Sequence, residues 1–370
     1  GDDVVDASTF MRNLRVSSFG GGSDTVRTGS SNVDFINFYG NLDDTDVIDG
    51  GAGNADKLKV DASTTLTEAN GISHVEQYIL ESGVLAGNGP ALYRIELNDA
   101  QAPDSGVLLI RANRLQANER LEFDGSAVAS FRLDVRGGEG EDKVASGAGS
   151  DTIKTGDGSD AVEGHINDAG DLIVTGAGND FVTVYAGDND IRGQGGDDEI
   201  TLGLGHDRVY GQDGNDTIHS GANRDVISGN AGADVFVYDQ LTDSASVAER
   251  DTITDFTSGS DRIDVTDLAA GDAISFLGNQ ADFTSAQAAL SAGSGALEFV
   301  YQADARILWA DVNDDGLLDD NDLQIELSGT ASLSASDIFT QAAAPTLEPW
   351  APPATPMPEH LHDMGPVMIA

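Results

Sequence analysis

A nine-residue frame governs the middle of the chain. Asp142, Asp151, Asp160, Asp180, Asn189, Asp198, Asp207, Asp216, Asp225 and Asp234 stand nine apart, with one break, where Asp171 falls eleven after Asp160 and nine before Asp180. Two positions after each comes an apolar residue: Val144, Ile153, Val162, Ile173, Val182, Ile191, Ile200, Val209, Ile218, Ile227 and Phe236. Two positions before most of them stands glycine, and Gly211-Gln-Asp-Gly-Asn-Asp-Thr-Ile-His219 shows the whole frame. Three positions held in phase over so many units are the mark of a stacked coil, in which each repeat contacts only its neighbours.

The chemistry follows from the frame. Glycine accepts positive φ, so each turn can be tight and its carbonyls can point inward together. The apolar residue after each Asp is the middle of a three-residue strand and faces a narrow core. Two units make one coil, and stacking brings each Asp next to the following coil's turn. A line of carboxylates and carbonyls results, an oxygen-only cage of the kind that suits calcium. Without cations the like charges repel, so metal binding and folding are expected to be one event. Asp also caps turns without any metal, but turn duty alone does not require one Asp in every nine residues.

Composition supports ligands over disorder. The chain of 370 residues carries 64 acidic against 19 basic side chains, a net charge of −45. Acidic tails of disordered chains carry their charges in blocks. Here the Asp residues recur singly, each in phase with an apolar side chain. A charge of this sign argues against nucleic acid, whose phosphates need Lys and Arg, and against direct attraction to anionic lipid. No cysteine is present for disulfides or thiolate sites. Gly1-Asp-Asp-Val-Val-Asp6 lacks the basic and apolar regions of a signal peptide, and no apolar run approaches the ~20 residues of a membrane span. The opening reads as the middle of a repeat, so a longer parent is expected.

The nonapeptides at 137–238 resemble the RTX (repeats-in-toxin) calcium-binding β-rolls. The resemblance implies type I export in an unfolded state, with folding in external calcium. Residues 1–60 read as looser coils of the same kind, with Asp24, Asp34, Asp46 and Asp56 as further metal ligands, spaced by ten, twelve and ten. An uncharged β-helix with decorative Asp competes there. Residues 61–136 alternate apolar and polar side chains in short strands (Val107-Leu-Leu-Ile-Arg111, Phe131-Arg-Leu-Asp-Val135), as a continuing β-helix or a small sandwich would. The passage from Leu66-Thr-Glu-Ala69 through Phe123–Ser126 to Gly137–Asp142 is similar to spacers of RTX surface and S-layer-like proteins.

Residues 239–340 resemble the C-terminal cap of serralysin-type secreted metalloproteases, on Asp251-Thr-Ile-Thr-Asp-Phe256, Gly259-Ser-Asp-Arg-Ile-Asp-Val265 and Leu333-Ser-Ala-Ser-Asp-Ile-Phe339. Such a cap is needed to cover an open coil end, and Asp251 is expected to extend the ligand line. A short helix is expected in 281–291. Within the cap, 311–322 has EF-hand order, with Asp311, Asn313, Asp315, the Leu317 carbonyl, Asp319 (through water) and Asp322 as expected ligands. Asp322 stands where Glu is usual, as in dockerin repeats, and an acidic hairpin without an ion is the competing reading. Residues 341–370 are proline-rich, an extended disordered tail compatible with an uncleaved export signal.

The expected fold is therefore all-β: a right-handed parallel β-roll and β-helix with a β-rich cap. No His-Glu-x-x-His, Gly-x-Ser-x-Gly or phosphate-loop motif occurs. The favoured reading is a non-enzymatic, calcium-binding, structural or adhesive surface segment of a secreted protein. Its expected partners are calcium, the type I machinery, and further copies of itself or a cell-surface polysaccharide. The alternatives are the noncatalytic C-terminal module of a secreted protease or lipase, and a polysaccharide-acting enzyme on the β-helical part.

Overall fold

The computed structural model describes residues 2–17, 22–30, 33–39, 42–67, 71–83, 90–244, 246–269 and 273–339; the proline-rich stretch 341–370 lies outside them. Successive strands go to opposite walls of one solenoid, building sheets of sixteen and eleven strands, with a further sheet of four near the N-terminus. Two repeats make each coil. Ile153, Ile173, Ile191, Val209 and Ile227 lie in register down one wall, and Val144, Val162, Val182, Ile200, Ile218 and Phe236 down the other. These residues meet between the walls in one continuous buried cluster. The apolar residue two after each Asp is thus the core, and a strand as short as Thr217–His219 buries a single side chain.

The region before the nonapeptides continues the same walls. Lys57–Val60, Gln77–Leu80, Val107–Arg111, Arg132–Arg136 and Thr152–Asp157 are successive parallel neighbours. Thr64–Leu66, Leu92–Asn98, Arg120–Ala127 and Lys143–Ala145 are successive neighbours in the opposite sheet. Of the two architectures expected here, the β-helix is the one formed. Its coils hold bulkier fillings, including Tyr78, Tyr93 and Phe123, because longer strands and turns enclose a wider core.

The cap breaks the parallel rule. Asp251–Ile253 pairs parallel with Leu323–Leu327. That strand then runs antiparallel to Ile307–Asp311, which pairs antiparallel with Ala296–Gln302. The expected helix is short, Phe283–Gln287, capped by Asp282 through the Ser285 amide. Its Phe283 ring meets Trp309 edge-on at 5.9 Å, over a small second cluster of Ala286, Val300, Ile307, Trp309 and Leu318.

Coil stacking leaves no room at the glycine two before the Asp. A Cβ on Gly196, at φ +128°, would lie 1.9 Å from the Gly178 carbonyl oxygen one coil below. Gly196→Ala is therefore expected to lose about 3 kcal/mol from backbone strain and overpacking together. A denaturant midpoint equal to wild type would show that the turns are looser than described.

Candidate metal centre

The repeat Asp residues form two ladders, one along each edge where the chain turns between walls. On the first edge, backbone N–H groups of Leu121, Asp142, Asp160, Asp180, Asp198, Asp216 and Asp234 donate to Oδ1 of Asp142, Asp160, Asp180, Asp198, Asp216, Asp234 and Asp261, in that order, at 2.7 to 3.2 Å. On the second edge, N–H groups of Leu133, Asp151, Asp171, Asn189, Asp207 and Asp225 donate to Oδ1 of Asp151, Asp171, Asn189, Asp207, Asp225 and Asp251, at 2.7 to 2.8 Å. All of these rung side chains are buried.

The looser N-terminal block uses the same device. Asp3 N–H donates to Asp24 and Asp24 N–H to Asp46, each at 2.8 Å. Leu14 N–H donates to Asp34 and Asp34 N–H to Asp56, each at 2.6 Å. Phase is poor there because these coils advance 22 residues per rung against 18 in the roll, not because the Asp has a different position. Glu76 continues the ladder by accepting from Asp56 N–H at 2.6 Å. Three rungs were missed in the sequence: Glu76, Glu119 and Asp261. Only Asp261 carried a readable signal, since Gly259, Asp261 and Ile263 keep the frame; it had drifted to 27 residues after Asp234.

The second carboxylate oxygen separates the rungs into two kinds. In Asp142 and Asp151, Oδ2 accepts from the N–H of Gly138 at 2.7 Å and of Gly147 at 3.0 Å. Asp46 and Asp261 are closed in the same way, by the N–H groups of Asp43 and Thr257. In Asp160, Asp180, Asp198, Asp207, Asp216, Asp225 and Asp234, Oδ2 is buried and accepts no hydrogen bond, as in Asp24 and Asp56. The hydroxyls of Thr155 and Thr175 stand beside Asp160 and Asp180, but each has one proton, directed at the carbonyls of Thr175 and Gly193.

Backbone conformation explains the difference on the first edge. Residues four and two before each open Asp are left-handed there: Gly156 and Gly158, Gly176 and Gly178, Gln194 and Gly196, Gln212 and Gly214, Asn230 and Gly232. No such pair precedes Asp142 or Asp151. The left-handed turns aim no N–H at Oδ2, so an acceptor is left inside the protein with nothing to accept. A buried unpaired charge of this kind is strongly unfavourable.

Burial pushes Asp160 and Asp198 up to about 8, Asp216 to about 7, and Asp180 and Asp234 to about 6, with neighbouring carboxylates adding to the rise for Asp160, Asp198, Asp216 and Asp234. Among the described residues, none of the ion pairs reaches a rung. Among the described residues no ion pair brings a cation to the line, so the residues fit a small divalent cation, with each first-edge gap from Asp160 to Asp234 offering two carboxylates. Among the described residues no group of three or more acidic or His side chains converges on a metal-sized space. The rest of any coordination shell is left to turn carbonyls, in keeping with calcium's taste for oxygen.

The loop 311–322 is a connection between antiparallel strands, without the helices that flank an EF-hand. Several of its side-chain oxygens are engaged by the loop's own amides, and Asp314 accepts from the Ser294 and Gly295 N–H groups outside it. Asp311 accepts from Asp315 and Gly316 N–H, and Asp322 from Val312 and Asp319 N–H. Asp315 accepts from Leu317 N–H, Asn313 accepts from Asp315 N–H, and Asp319 accepts from Asn321 N–H.

The family model for the peptidase M10 serralysin C-terminal domain matches residues 130–340. The chain belongs to that family. Its members are RTX β-rolls, known to bind calcium and found in secreted proteins. The match begins at the last β-helical coils and runs through the whole roll and cap. Among solved structures, the chain is similar to the AlgE6R2 subunit of the mannuronan C5-epimerase of Azotobacter vinelandii (25% identity, 44% of this chain and 95% of that one, TM-score 0.29). It is also similar to the AlgE6R3 subunit of the same enzyme (30% identity, 46% and 91%, TM-score 0.28). No curated protein matches the chain. No helix among the described residues is long and apolar enough to cross a membrane.

Proposed function

We propose that this chain is a structural, calcium-folded segment of a secreted protein, ordered outside the cell by ions held between the coils. The observation that carries the reading is the row of buried carboxylate oxygens with no hydrogen-bond donor, rung after rung on the first edge. When bound, calcium would supply the positive charge that the row lacks. The protein's own part is to hold Oδ1 fixed through the ladder and to present Oδ2 and the turn carbonyls. Asp160, Asp180, Asp198, Asp216 and Asp234 are the principal ligands of the proposal, with Asp207, Asp225, Asp24 and Asp56 as further candidates. Within 311–322 both oxygens of Asp311 and of Asp322 already accept backbone N–H groups, so the proposal does not need an ion there.

A surface or adhesive role is supported by the length of the solenoid: one wall of the roll continues upstream through the β-helix to Arg15–Ser17, and the other to Thr64–Leu66. The family match supports a second reading, the noncatalytic export and folding module of a secreted hydrolase.

Far-ultraviolet circular dichroism during calcium titration tests the shared claim, with coil expected to turn cooperatively to β. A β signal indifferent to calcium and chelator rejects it. Sedimentation in millimolar calcium separates the two roles: ordered assembly supports the surface reading, and a persistent monomer supports the module.

A further inference from the structure

The two edges of the roll are not equivalent. On the first edge, five consecutive rungs from Asp160 to Asp234 have a buried Oδ2 without a donor and a left-handed pair in the turn before it. The residue five before the Asp is glycine on the last three, and the carboxylate occupies the space a side chain would take. A Cβ on Gly193, Gly211 or Gly229 would lie 2.0 to 2.1 Å from Oδ2 of Asp198, Asp216 or Asp234.

The second edge departs from this at Asn189. The residues five before Asn189 and Asp207 are Val184 and Leu202, both buried in the core. The turn before Asn189 has one left-handed residue, Gly187, rather than a pair, as does the turn before Asp207, with Gly205. The Asn189 amide completes the difference. Its Oδ1 accepts from Asp171 N–H at 2.8 Å and so keeps the ladder unbroken. Its Nδ2 donates to the carbonyls of Ala186 at 3.3 Å and Gly187 at 2.9 Å, and to Oδ1 of Asp207 at 2.9 Å. Two turn carbonyls and the next rung's carboxylate are the partners a cation would take in that gap. Here a side-chain NH₂ reaches both carbonyls and Oδ1 of that carboxylate, leaving its Oδ2 to the gap beyond, and an amide offers no carboxylate charge in return.

Resting on the calcium reading above, we propose that calcium runs as a continuous line along the first edge, from Asp160 to Asp234, and that the line on the second edge is interrupted at Asn189, whose amide takes the cation's place. Asn189 is then a built-in, metal-free strut. It divides the second edge into separate stretches, while the first edge binds its ions as one cooperative array.

Calcium stoichiometry of the full chain, by native mass spectrometry with isothermal titration calorimetry, tests this on three variants. Asn189→Asp restores a carboxylate and removes the donor, and is expected to bind at least one ion more than wild type. Asn189→Ala is expected to bind the wild-type number with a lowered melting temperature. Asp198→Asn keeps the Oδ1 acceptor, and is expected to lose at least one ion and to weaken the remaining first-edge sites about tenfold by breaking the array. An unchanged count in a folded Asn189→Asp, or a loss of ions in Asn189→Ala, overturns the strut, because Asn189 would then be an ordinary ligand. If wild type takes up no calcium at all, the underlying calcium reading fails as well, and the two failures are told apart by that one sample.

Discussion

Chelating calcium at about pH 8 is expected to abolish amide-exchange protection from Asp160 to Asp234 while leaving it largely intact from Tyr93 to Ile153. The reason is electrostatic. Neighbouring rungs lie one strand spacing apart, about 5 Å. At an effective dielectric near 20, two carboxylate charges at that distance repel by roughly 3 kcal/mol. Summed over the neighbouring pairs of one edge, that is on the order of 10 kcal/mol, as large as the net stability of a whole domain. The roll has little to set against it, since a strand such as Glu199–Thr201 buries only one side chain.

The preceding β-helix stands differently. Its acidic rungs are closed by N–H donors on both oxygens: Glu119 by Ala91 and Gln116, Asp142 by Leu121 and Gly138, Asp151 by Leu133 and Gly147. Arg111 and Arg136 flank Asp134 on its outer wall. Tyr93, Phe123 and Phe131 enlarge its core. Hydrogen exchange read by mass spectrometry, with and without chelator, measures both regions at once. Protection lost equally in both would mean that the solenoid is one cooperative unit with no metal-independent part. Protection kept at 160–234 would mean that the orphaned oxygens do not depend on a cation.

Much of this architecture was legible because the repeat is a physical period. An Asp fixed to a turn and an apolar residue fixed two positions later can only stack, so the two walls, the thin core and the roll were readable from residues alone. Over 61–136 the sequence leaves two folds open, since alternation names strands without naming their partners. Sheet neighbours there lie some 25 residues away, as Val107 lies from Arg132, and nothing local encodes that distance.

The site was legible at a coarser level than the fold. Sequence phase placed Asp142 and Asp160 in the same class, yet Gly138 closes one carboxylate and nothing closes the other. The difference lies in the φ of glycines that look identical as letters. Asn189 read as a conservative rung, because its Oδ1 does serve the ladder. What its Nδ2 does depends on three acceptors brought together only by the turn. The loop 311–322 matched a calcium motif in order, but its setting between antiparallel strands is a property of the cap, not of the twelve residues.

Metal-free protein is expected to regain β structure when the pH is lowered to about 5, and to lose it again as the pH rises through about 6 to 8. Burial raises the folded-state carboxyls of Asp180 and Asp234 to about 6, Asp216 to about 7, and Asp160 and Asp198 to about 8, above their ordinary 3.8. Between 3.8 and those values the folded chain holds more protons than the unfolded one. Stability therefore falls with rising pH across that window. The contribution is complete below the ordinary carboxylate value and is gone above the folded one.

This is the reverse of the usual acid denaturation, in which paired carboxylates lose their partners on protonation. It arises because the rungs of the apo roll have no cationic partner to lose. Protons and calcium then act as alternatives on the same oxygens, so calcium binding to the folded roll should release protons and weaken as the pH falls toward 6. Circular dichroism of the chelated protein against pH measures the first effect, and calcium midpoints at two pH values measure the second. A metal-free chain that is no better ordered at about pH 5 than at about pH 8 would show that charge on the buried ladder is not what keeps it unfolded.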